Sequence, residues 1–304
     1  MAASDFEVFD KRFKRAHIHT AQLDTLYDGC RWAEGPACFP AGRYVVWSDI
    51  PNNRMLRYDE CSGMVSVFRQ PSNNSNGNTV DREGRLISCE HGARRVSRTE
   101  FDGTVTTIAE SYRGKRLNSP NDVVVKSDGS IWFTDPTYGI DSDYEGNKGV
   151  SEQEGSNVYR VDPASGEVSL VADDFVQPNG LAFSPDESML YISDTGCTHV
   201  EGGPAHIRRF SVSEDGRLKD RGVFAECTNG LFDGFRFDSE GRIWASAADG
   251  VHCLDVDGTL IGKIRVPQIV ANVCFGGPKR NYLYICGTTA LYGIRLPVNG
   301  VKTF

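Results

Sequence analysis

The sequence predicts an all-β fold, a six-bladed β-propeller built from four-stranded antiparallel blades. A pattern of polar residue, apolar run, Gly- or Asp-containing turn and second apolar run recurs along the chain, as β-hairpins require. The copies follow one another at intervals of 38 to 58 residues, close to the spacing of propeller blades. Helical periodicity is nowhere sustained, and 32 glycines suit a fold with many turns.

The repeat is clearest in residues 231–244, where Asp233 starts a hairpin and Gly241 forms its turn eight residues later. The other copies keep this offset, as Gly84 follows Asn76 and Gly129 follows Asn121. Six positions share the register, and they predict six blades: Glu34, Asn76, Asn121, Asn179, Asp233 and Ala271.

Strands can be assigned within the repeats. The third unit predicts strands at 122–125, 130–134, 156–162 and 168–172, and the fourth at 181–183, 189–193, 207–212 and 221–224. The last unit, 272–297, ends near its third strand. We therefore expect residues 21–27 to supply the missing strand, so that the N- and C-terminal segments pair and close the ring without free sheet edges.

The domain organisation follows from this assignment. Residues 1–20 form an N-terminal extension and residues 21–304 a single propeller domain. Within the extension, residues 6–17 suit a short helix or an arm over the body, without catalytic consequence. Two insertions, 136–157 and 196–205, both separate the second and third strands of adjacent units, so they should lie on the same face. Long loops in a compact domain are lids or disordered segments, and we expect a lid.

The composition excludes several classes of protein function. The net charge is −8 with scattered basic residues, which excludes a nucleic-acid footprint. No apolar run approaches the roughly 18 residues of a membrane span, and the N-terminus lacks the apolar core of a secretion signal. Nine cysteines without a Cys-x-x-Cys pair indicate reduced, structural thiols and a cytoplasmic location. We expect a monomer or weak homodimer.

The innermost strands of a propeller start at one mouth of the central channel, so residues in register converge there. Five of the six register positions carry side-chain oxygens, and such a group is costly to bury without a cation. Oxygen ligands without Cys or His suit Ca²⁺ or Mg²⁺ better than Zn²⁺. The alternative is that these Asn and Asp side chains only cap turns where strands begin.

A second ring of acids is predicted where the second strands end: Asp49, Glu90, Asp135 and Asp194. These acids either cap turns or orient ligands around the first ring, with a second ion as a further option. His91, the one histidine in this register, is a candidate general base or substrate contact, and the alternative is a hydrogen-bonded structural histidine.

Short motifs carry a family resemblance. Glu34-Gly35-Pro36, the Ser-Pro-Asn-Asp of 119–122, the Pro-Asn-Gly-Leu of 178–181 and the Phe-Asp-Gly of 232–234 resemble the metal-site motifs of the SMP-30/gluconolactonase/LRE-like family of six-bladed propellers. Residues 48–53 and 133–139 also match, and the similarity runs from about residue 28 to 297. The chain is most similar to bacterial gluconolactonases, because Ser119-Pro120 stands where the animal branch has a substrate-binding Arg.

The resemblance implies one divalent ion, most commonly Ca²⁺, with Mg²⁺, Mn²⁺ and Zn²⁺ as alternatives, held by Glu34, Asn121, Asn179 and Asp233. It also implies hydrolysis of a sugar lactone, with D-glucono-1,5-lactone to gluconate as the default reaction. A hard cation would polarise the lactone carbonyl, and Asp233 is the candidate general base towards water. A water activated by the cation is the competing nucleophile.

Candidate substrate contacts are Asn76, His91, Asn121, Asp135 and Tyr138. Two alternatives stay open: hydrolysis of another lactone or an organophosphate at the same metal site, or a non-catalytic binding propeller with a structural ion. Acids in register at the axis favour an enzyme, because scaffold propellers bind partners across a blade face or rim. No Gly-x-Ser-x-Gly motif supports a serine esterase.

Overall fold

The computed structural model of the protein describes residues 5–302 and confirms the six-bladed β-propeller. The chain begins with β1 (Phe6–Val8), a 3-10 helix (Lys11–Arg15) and β2 (Asp24–Asp28). Six antiparallel blades follow, and the first strand of each lies innermost. Blade I consists of β3 (Ala33–Phe39), β4 (Tyr44–Asp49), β5 (Arg54–Asp59) and β6 (Val65–Arg69). Blade II consists of β7 (Ser75–Val80), β8 (Leu86–Glu90), β9 (Arg95–Thr99) and β10 (Val105–Ala109).

A small hairpin, β11 (Ser111–Tyr112) and β12 (Lys115–Arg116), precedes blade III. Blade III consists of β13 (Val123–Val125), β14 (Ile131–Asp135), β15 (Ser156–Val161) and β16 (Val168–Phe175), and α1 (Tyr138–Asp141) lies between β14 and β15. Blade IV consists of β17 (Pro178–Phe183), β18 (Met189–Asp194), β19 (His206–Val212) and β20 (Leu218–Glu226), with a 3-10 turn (Gly196–Thr198) after β18. The sequence predicted these strands to within a few residues.

Blade V consists of β21 (Phe235–Phe237), β22 (Ile243–Ala247), β23 (Gly250–Leu254) and β24 (Leu260–Arg265). Blade VI takes β25 (Val270–Gly276), β26 (Tyr282–Gly287) and β27 (Ala290–Arg295) from the end of the chain, and β2 from its beginning as the fourth strand. Asp24 pairs with Gly293 and Asp28 with Ala290. The predicted ring closure is therefore confirmed, with the closing strand slightly later than residues 21–27.

The N-terminal segment packs on blade V as both an arm and a short helix. Strand β1 pairs with β24 and gives this blade a fifth, outermost strand. Phe13, from the 3-10 helix, is fully buried, and its ring lies 6.1 Å from that of Trp244. Gly262 makes room for it, because a Cβ there would lie 2.2 Å from the Phe13 ring.

Aspartates set the hairpin turns between the first and second strands. In blade V, Asp238 Oδ1 accepts hydrogen bonds from the backbone N of Glu240 and of Arg242, each at 3.0 Å. Its Oδ2 accepts from Arg242 Nε at 2.8 Å and from Trp244 Nε1 at 3.0 Å. Gly241 adopts φ +85°, which a residue with a Cβ rarely reaches. Asp81 organises the equivalent turn of blade II in the same way.

The innermost strands approach one another closely, and glycine follows four of the six register residues, at Gly35, Gly77, Gly180 and Gly234. A Cβ on Gly77 would lie 2.4 Å from the carbonyl oxygen of Asn121, and one on Gly180 would lie 2.2 Å from that of Asp233. Because the strands are so close, backbone hydrogen bonds form between them, and Gly77 N donates to Asn121 O at 2.7 Å. The repeated polar-Gly pair is therefore a packing requirement of the channel axis.

Hydroxyl groups connect the blades at the same level. A Ser or Thr near the end of a second strand donates to the backbone carbonyl of the register residue in the next blade. This contact occurs three times: Ser48 to Asn76 at 2.8 Å, Thr134 to Asn179 at 2.7 Å, and Ser193 to Asp233 at 2.9 Å. The positions of the register residues thus depend on their neighbouring blades.

The core is a ring of apolar clusters, several of which lie between adjacent blades. One cluster joins Trp47 and Leu56 of blade I to Tyr284 and Leu291 of blade VI, which seals the ring where it closes. All nine cysteines, which lie within residues 5–302, are free, and five of them are buried. Within that same range, no helix has the length and apolarity to span a membrane.

We expect Gly180→Ala to destabilise the fold, because the new methyl group would overlap the backbone of blade V at the axis. Overpacking of this kind costs about 1–3 kcal/mol of the free energy of unfolding. Gly155→Ala is the matched control, since the nearest atom to its added Cβ lies 3.6 Å away. Chemical denaturation of both variants measures the difference. Equal stabilities would mean that the axis can widen to accept a side chain.

Candidate active site

The N-terminal ends of the innermost strands surround a cavity of about 300 Å³ at one mouth of the channel. The polar register residues line it together: Glu34, Asn76, Asn121, Asn179 and Asp233. The first four are at least 95% buried, whereas Asp233 keeps partial exposure. The structure therefore brings together five residues that are separated by up to 199 positions in the sequence.

Ala271 occupies the sixth register position, as the sequence predicted. Gly234 N donates to Ala271 O at 2.8 Å, the same contact that Gly77 N makes with Asn121 O in blade II. A methyl group supplies no ligand, so the polar ring is open on this side. The neighbouring Asn272 contributes instead, because its Nδ2 donates to Glu34 Oε2 at 3.0 Å.

Burial and mutual repulsion disfavour the ionised forms of the carboxyl groups in the cavity. Burial, followed by the charge of Asp122, raises the pKa of Glu34 to about 8. Burial, followed by the charges of Glu34 and Glu145, raises the pKa of Asp233 well above its usual range. Among the described residues that line the cavity there is no Lys or Arg. A bound cation would remove this electrostatic cost.

The donor chemistry also fits a cation. Carboxylate and amide oxygens are the ligands that hard divalent ions prefer. Within residues 5–302 no group of three or more His, Cys, Asp and Glu side chains is arranged to hold a metal, so an ion here would depend on asparagine oxygens as well. The amide oxygen of Asn76 is buried and has no hydrogen-bond partner within those residues, which leaves it available to a ligand.

His91 determines the orientation of Asn76. His91 Nδ1 lies 3.2 Å from the carbonyl oxygen of Glu145, which can only accept, so this nitrogen carries the proton. Its Nε2 is then an acceptor for Asn76 Nδ2, at 3.2 Å. Burial lowers the pKa of His91 to about 4, which keeps the ring neutral. The amide oxygen of Asn76 is consequently the atom left without a partner.

His91 itself lies behind the cavity wall. It is fully buried, it is not among the residues that line the cavity, and both its ring nitrogens are engaged. This position suits a residue that orients Asn76 and the loop around Glu145. It does not place an imidazole nitrogen where a substrate proton could reach it.

The second-ring acids hold the segments that lead into the innermost strands. Asp49 accepts from the backbone N of Arg31 at 2.8 Å, and Asp194 accepts from that of Gln177 at 2.9 Å. Glu90 accepts from Asn73 Nδ2, two residues before β7, at 3.0 Å, and it also accepts from Arg95 Nε of β9 at 2.8 Å. These contacts correspond to the capping interpretation of the ring.

Asp135 has the same structural role with one difference. Its Oδ2 accepts from the backbone N of Asn118 at 2.8 Å, three residues before Asn121. Its Oδ1 is buried and has no hydrogen-bond partner within residues 5–302, and burial raises the pKa of the carboxyl to about 7. Asp135 does not line the cavity, so it can influence a substrate only through the Asn118–Asn121 segment.

The two inserted loops lie on the same face, over the cavity, as predicted. Tyr138 Oη lies 2.6 Å from Thr195 Oγ1 and 2.9 Å from Thr198 Oγ1. His199 Nε2 lies 2.9 Å from Asp141 Oδ2. These contacts connect the loop of blade III to that of blade IV, and both Tyr138 and Thr198 line the cavity.

Ser119 anchors the longer loop. Its hydroxyl donates to Pro136 O at 2.7 Å and accepts from Gly139 N at 2.9 Å. Gly139 packs against His91 so closely that an added Cβ would lie 2.5 Å from the His91 Cβ. The segment before Asn121 is thereby fixed to the loop that covers it.

Sequence reasoning missed several cavity residues. Trp32 and Leu231 form apolar walls, and Glu145 adds a third carboxyl, whose pKa burial raises to about 7. Trp32 and Leu231 each precede a register residue by two positions, a spacing that could have indicated them. Glu145 belongs to an irregular loop, and no repeat predicts where such a residue lies.

These features define a class of protein: a six-bladed propeller with a cavity lined by carboxyl and amide groups at one mouth of its central channel. The chain belongs to the SMP-30/gluconolactonase/LRE-like family, whose family model, the SMP-30/Gluconolactonase/LRE-like region, matches residues 32–290.

Curated relatives match along most of the chain. The gluconolactonase of Zymomonas mobilis is 29% identical over 93% of this chain and 82% of that protein. The pentonolactonase of Haloferax volcanii is 32% identical over 89% of this chain and 84% of that protein. The solved structure of a gluconolactonase from Xanthomonas campestris is 39% identical, with a TM-score of 0.89, over 97% of this chain and 96% of that one.

We expect the stability of the chelator-treated protein to fall as the pH rises from about 4.5 to about 8. In this window the folded state binds more protons at Glu34 than the unfolded chain does, so raising the pH favours unfolding. Glu34→Gln should lack this part of the pH dependence, and thermal unfolding across the window measures it.

The matched control is Glu214→Gln, which removes an exposed carboxyl far from the cavity and should follow the wild type. Adding Ca²⁺ should flatten the wild-type decline, because the cation stabilises the ionised carboxylate. Identical pH profiles for the wild type and Glu34→Gln would contradict the electrostatic description of the site.

Proposed function

We propose that the protein is a metal-dependent lactonase that hydrolyses the ring ester of a sugar lactone, with D-glucono-1,5-lactone as the default substrate and gluconate as its product. The family and the lactonase relatives make the chain a carboxylic ester hydrolase that acts on lactones. The observation that carries the proposal is the cavity itself, where three carboxyl groups and three amides converge beneath two connected loops, with no Lys or Arg among the described residues that line it.

Glu34, Asn121, Asn179 and Asp233 would hold the ion, and oxygen ligands alone favour Ca²⁺, with Mg²⁺, Mn²⁺ and Zn²⁺ as alternatives. A bound divalent cation supplies Lewis acidity, which polarises the ester carbonyl and stabilises the negative charge that develops on its oxygen. The cavity of about 300 Å³ is at the small end of ligand pockets and suits a single monocyclic lactone.

Asp233 is the general base. Unlike the other polar register residues, it keeps partial exposure to the cavity, where a water can reach it. Its carboxylate accepts a proton as the water oxygen bonds to the carbonyl carbon. The bond between that carbon and the ring oxygen then breaks, and the proton passes to the departing ring oxygen. The products are a carboxylic acid and an alcohol within one open-chain molecule.

The walls suit a sugar. Trp32 and Leu231 offer apolar surface to the C–H faces of the ring, and Tyr138 closes the cavity from the loop side. The Asn76 amide oxygen and the Glu145 carboxyl are acceptors, so they favour a substrate that brings hydroxyl donors. We assign His91 to orienting Asn76 and Asp135 to holding the segment before Asn121, which itself lines the cavity.

We expect chelation to abolish lactone hydrolysis and Ca²⁺ to restore it, because the carbonyl is no longer polarised without a cation. Asp233→Asn should lower the rate by about 10²–10⁴-fold, the usual contribution of a general base. Acid release from D-glucono-1,5-lactone in a pH-stat measures both effects. The exposed Asp173→Asn is the control and should retain wild-type activity. Hydrolysis that survives both chelation and Asp233→Asn would contradict the mechanism.

We expect Glu145→Gln and Asn76→Ala to raise KM for D-glucono-1,5-lactone by roughly tenfold or more, since the first replaces a charged acceptor oxygen by an N–H donor and the second removes the amide acceptor. δ-Valerolactone has the same ring without hydroxyls, so its kinetics should change little in the same variants. Steady-state kinetics with both substrates separates the effects. Equal losses with the two lactones would show that these side chains act on the ester instead of the hydroxyls.

A further inference from the structure

A second cavity, larger than the first, opens at the opposite mouth of the channel. Its volume is about 550 Å³, and it is lined by the C-terminal halves of all six innermost strands. Apolar side chains form much of its wall: Val80, Val125, Phe183, Phe237 and Phe275. No residue that lines the candidate active site lines this space, which we call the lower cavity.

The lower cavity has the opposite charge character to the active site. Four cationic side chains line it, Arg82, Arg236, Arg280 and Lys302, against two carboxylates, Asp186 and Glu187. The whole chain carries a net charge of −8, so this concentration of positive charge is local. Neutral lactones have no need of it, whereas an anion would be attracted to it.

Both carboxylates of the lower cavity are already engaged. Glu187 accepts from Arg82 Nη2 at 2.8 Å and from the backbone N of Ser127 at 2.9 Å. Asp186 accepts from Ser184 Oγ at 2.6 Å and organises its own turn. Arg82 is therefore neutralised locally, whereas Arg236 and Arg280 have donors to spare.

Arg236 is the most enclosed of the available cations, with a side chain only 18% exposed. Its Nη1 donates to Phe235 O at 2.7 Å and lies 3.4 Å from Asp122 Oδ2. Its Nε and Nη2 donate to no group within residues 5–302. Arg280 donates through Nε to Gly300 O at 3.2 Å and pairs with no carboxylate within those residues. Guanidinium groups with unused N–H donors suit carboxylate or phosphate oxygens.

We propose that the lower cavity binds a small organic anion, with its carboxylate or phosphate group on Arg236 and Arg280 and its apolar body against Phe183, Phe237 and Phe275. The Arg236–Asp122 pair lies between this site and the active site, since Asp122 follows Asn121 directly and its charge also acts on Glu34. The channel would thus bind a cation at one end and an anion at the other. The proposal does not depend on lactonase activity.

The aromatic sulfonate 1-anilinonaphthalene-8-sulfonate is a suitable probe, because it combines an anion with an apolar body and fluoresces when bound. We expect saturable binding of one probe to the folded protein. Arg280→Gln and Arg236→Gln should each weaken binding by about tenfold, as expected for a lost charge-assisted hydrogen bond. Affinity should also fall as salt is added. Competition by D-gluconate and by inorganic phosphate identifies which anionic group the site prefers.

Two control variants test whether the probe binds in the lower cavity. Arg217→Gln removes an exposed arginine outside both cavities and should leave probe affinity unchanged. Tyr138→Phe alters the active-site mouth without changing a charge near Arg236 and should also leave it unchanged. Arg236→Gln breaks the pair with Asp122, so Arg280→Gln, which breaks no ion pair, remains decisive if the first variant unfolds. Unchanged affinity in Arg280→Gln, or probe binding without saturation, would overturn the proposal.

Discussion

The close approach of the six innermost strands at the channel axis is the constraint on which the rest of the structure depends. After the register residues Asn76 and Asn179, a Cβ would collide with the backbone of the next blade, so Gly77 and Gly180 stand there. Hydroxyl groups such as Ser193 then hold the carbonyl of the neighbouring register residue in place. Side chains at this level cannot move aside independently, so the ring is a rigid frame for any ligand.

That rigidity determines the electrostatics of the active site. Carboxylate and amide groups fill one mouth of a narrow channel, where burial raises the pKa of Glu34 and Asp233. A frame that cannot relax keeps these charges together and leaves a ligand to compensate them. The orientation of a side chain in the ring is set from outside it, as where His91 contacts the amide of Asn76.

The fold could be predicted from the sequence because a similar residue pattern recurs in successive blades. Polar-Gly pairs occur in four of the six blades, and turn glycines and apolar runs recur around them, so the six innermost strands and their register followed from the pattern. The convergence of the polar register residues on one cavity was predictable for the same reason. Glu145, α1 and the β11–β12 hairpin were not, because irregular segments take their conformation from tertiary contacts. The role of His91 behind Asn76 also required knowledge of which atoms meet across the loop.

Closure of the ring by β2 and β27 has a kinetic consequence. Asp24 and Gly293 are paired in the folded sheet although almost the whole domain separates them along the chain. Bringing such distant segments together carries a large loop-closure entropy, and high contact order slows folding. On the ribosome, blades I to V can assemble as they emerge, but the seam at blade VI must wait for the last strands. Until β27 is made, β2 has no strand to pair with.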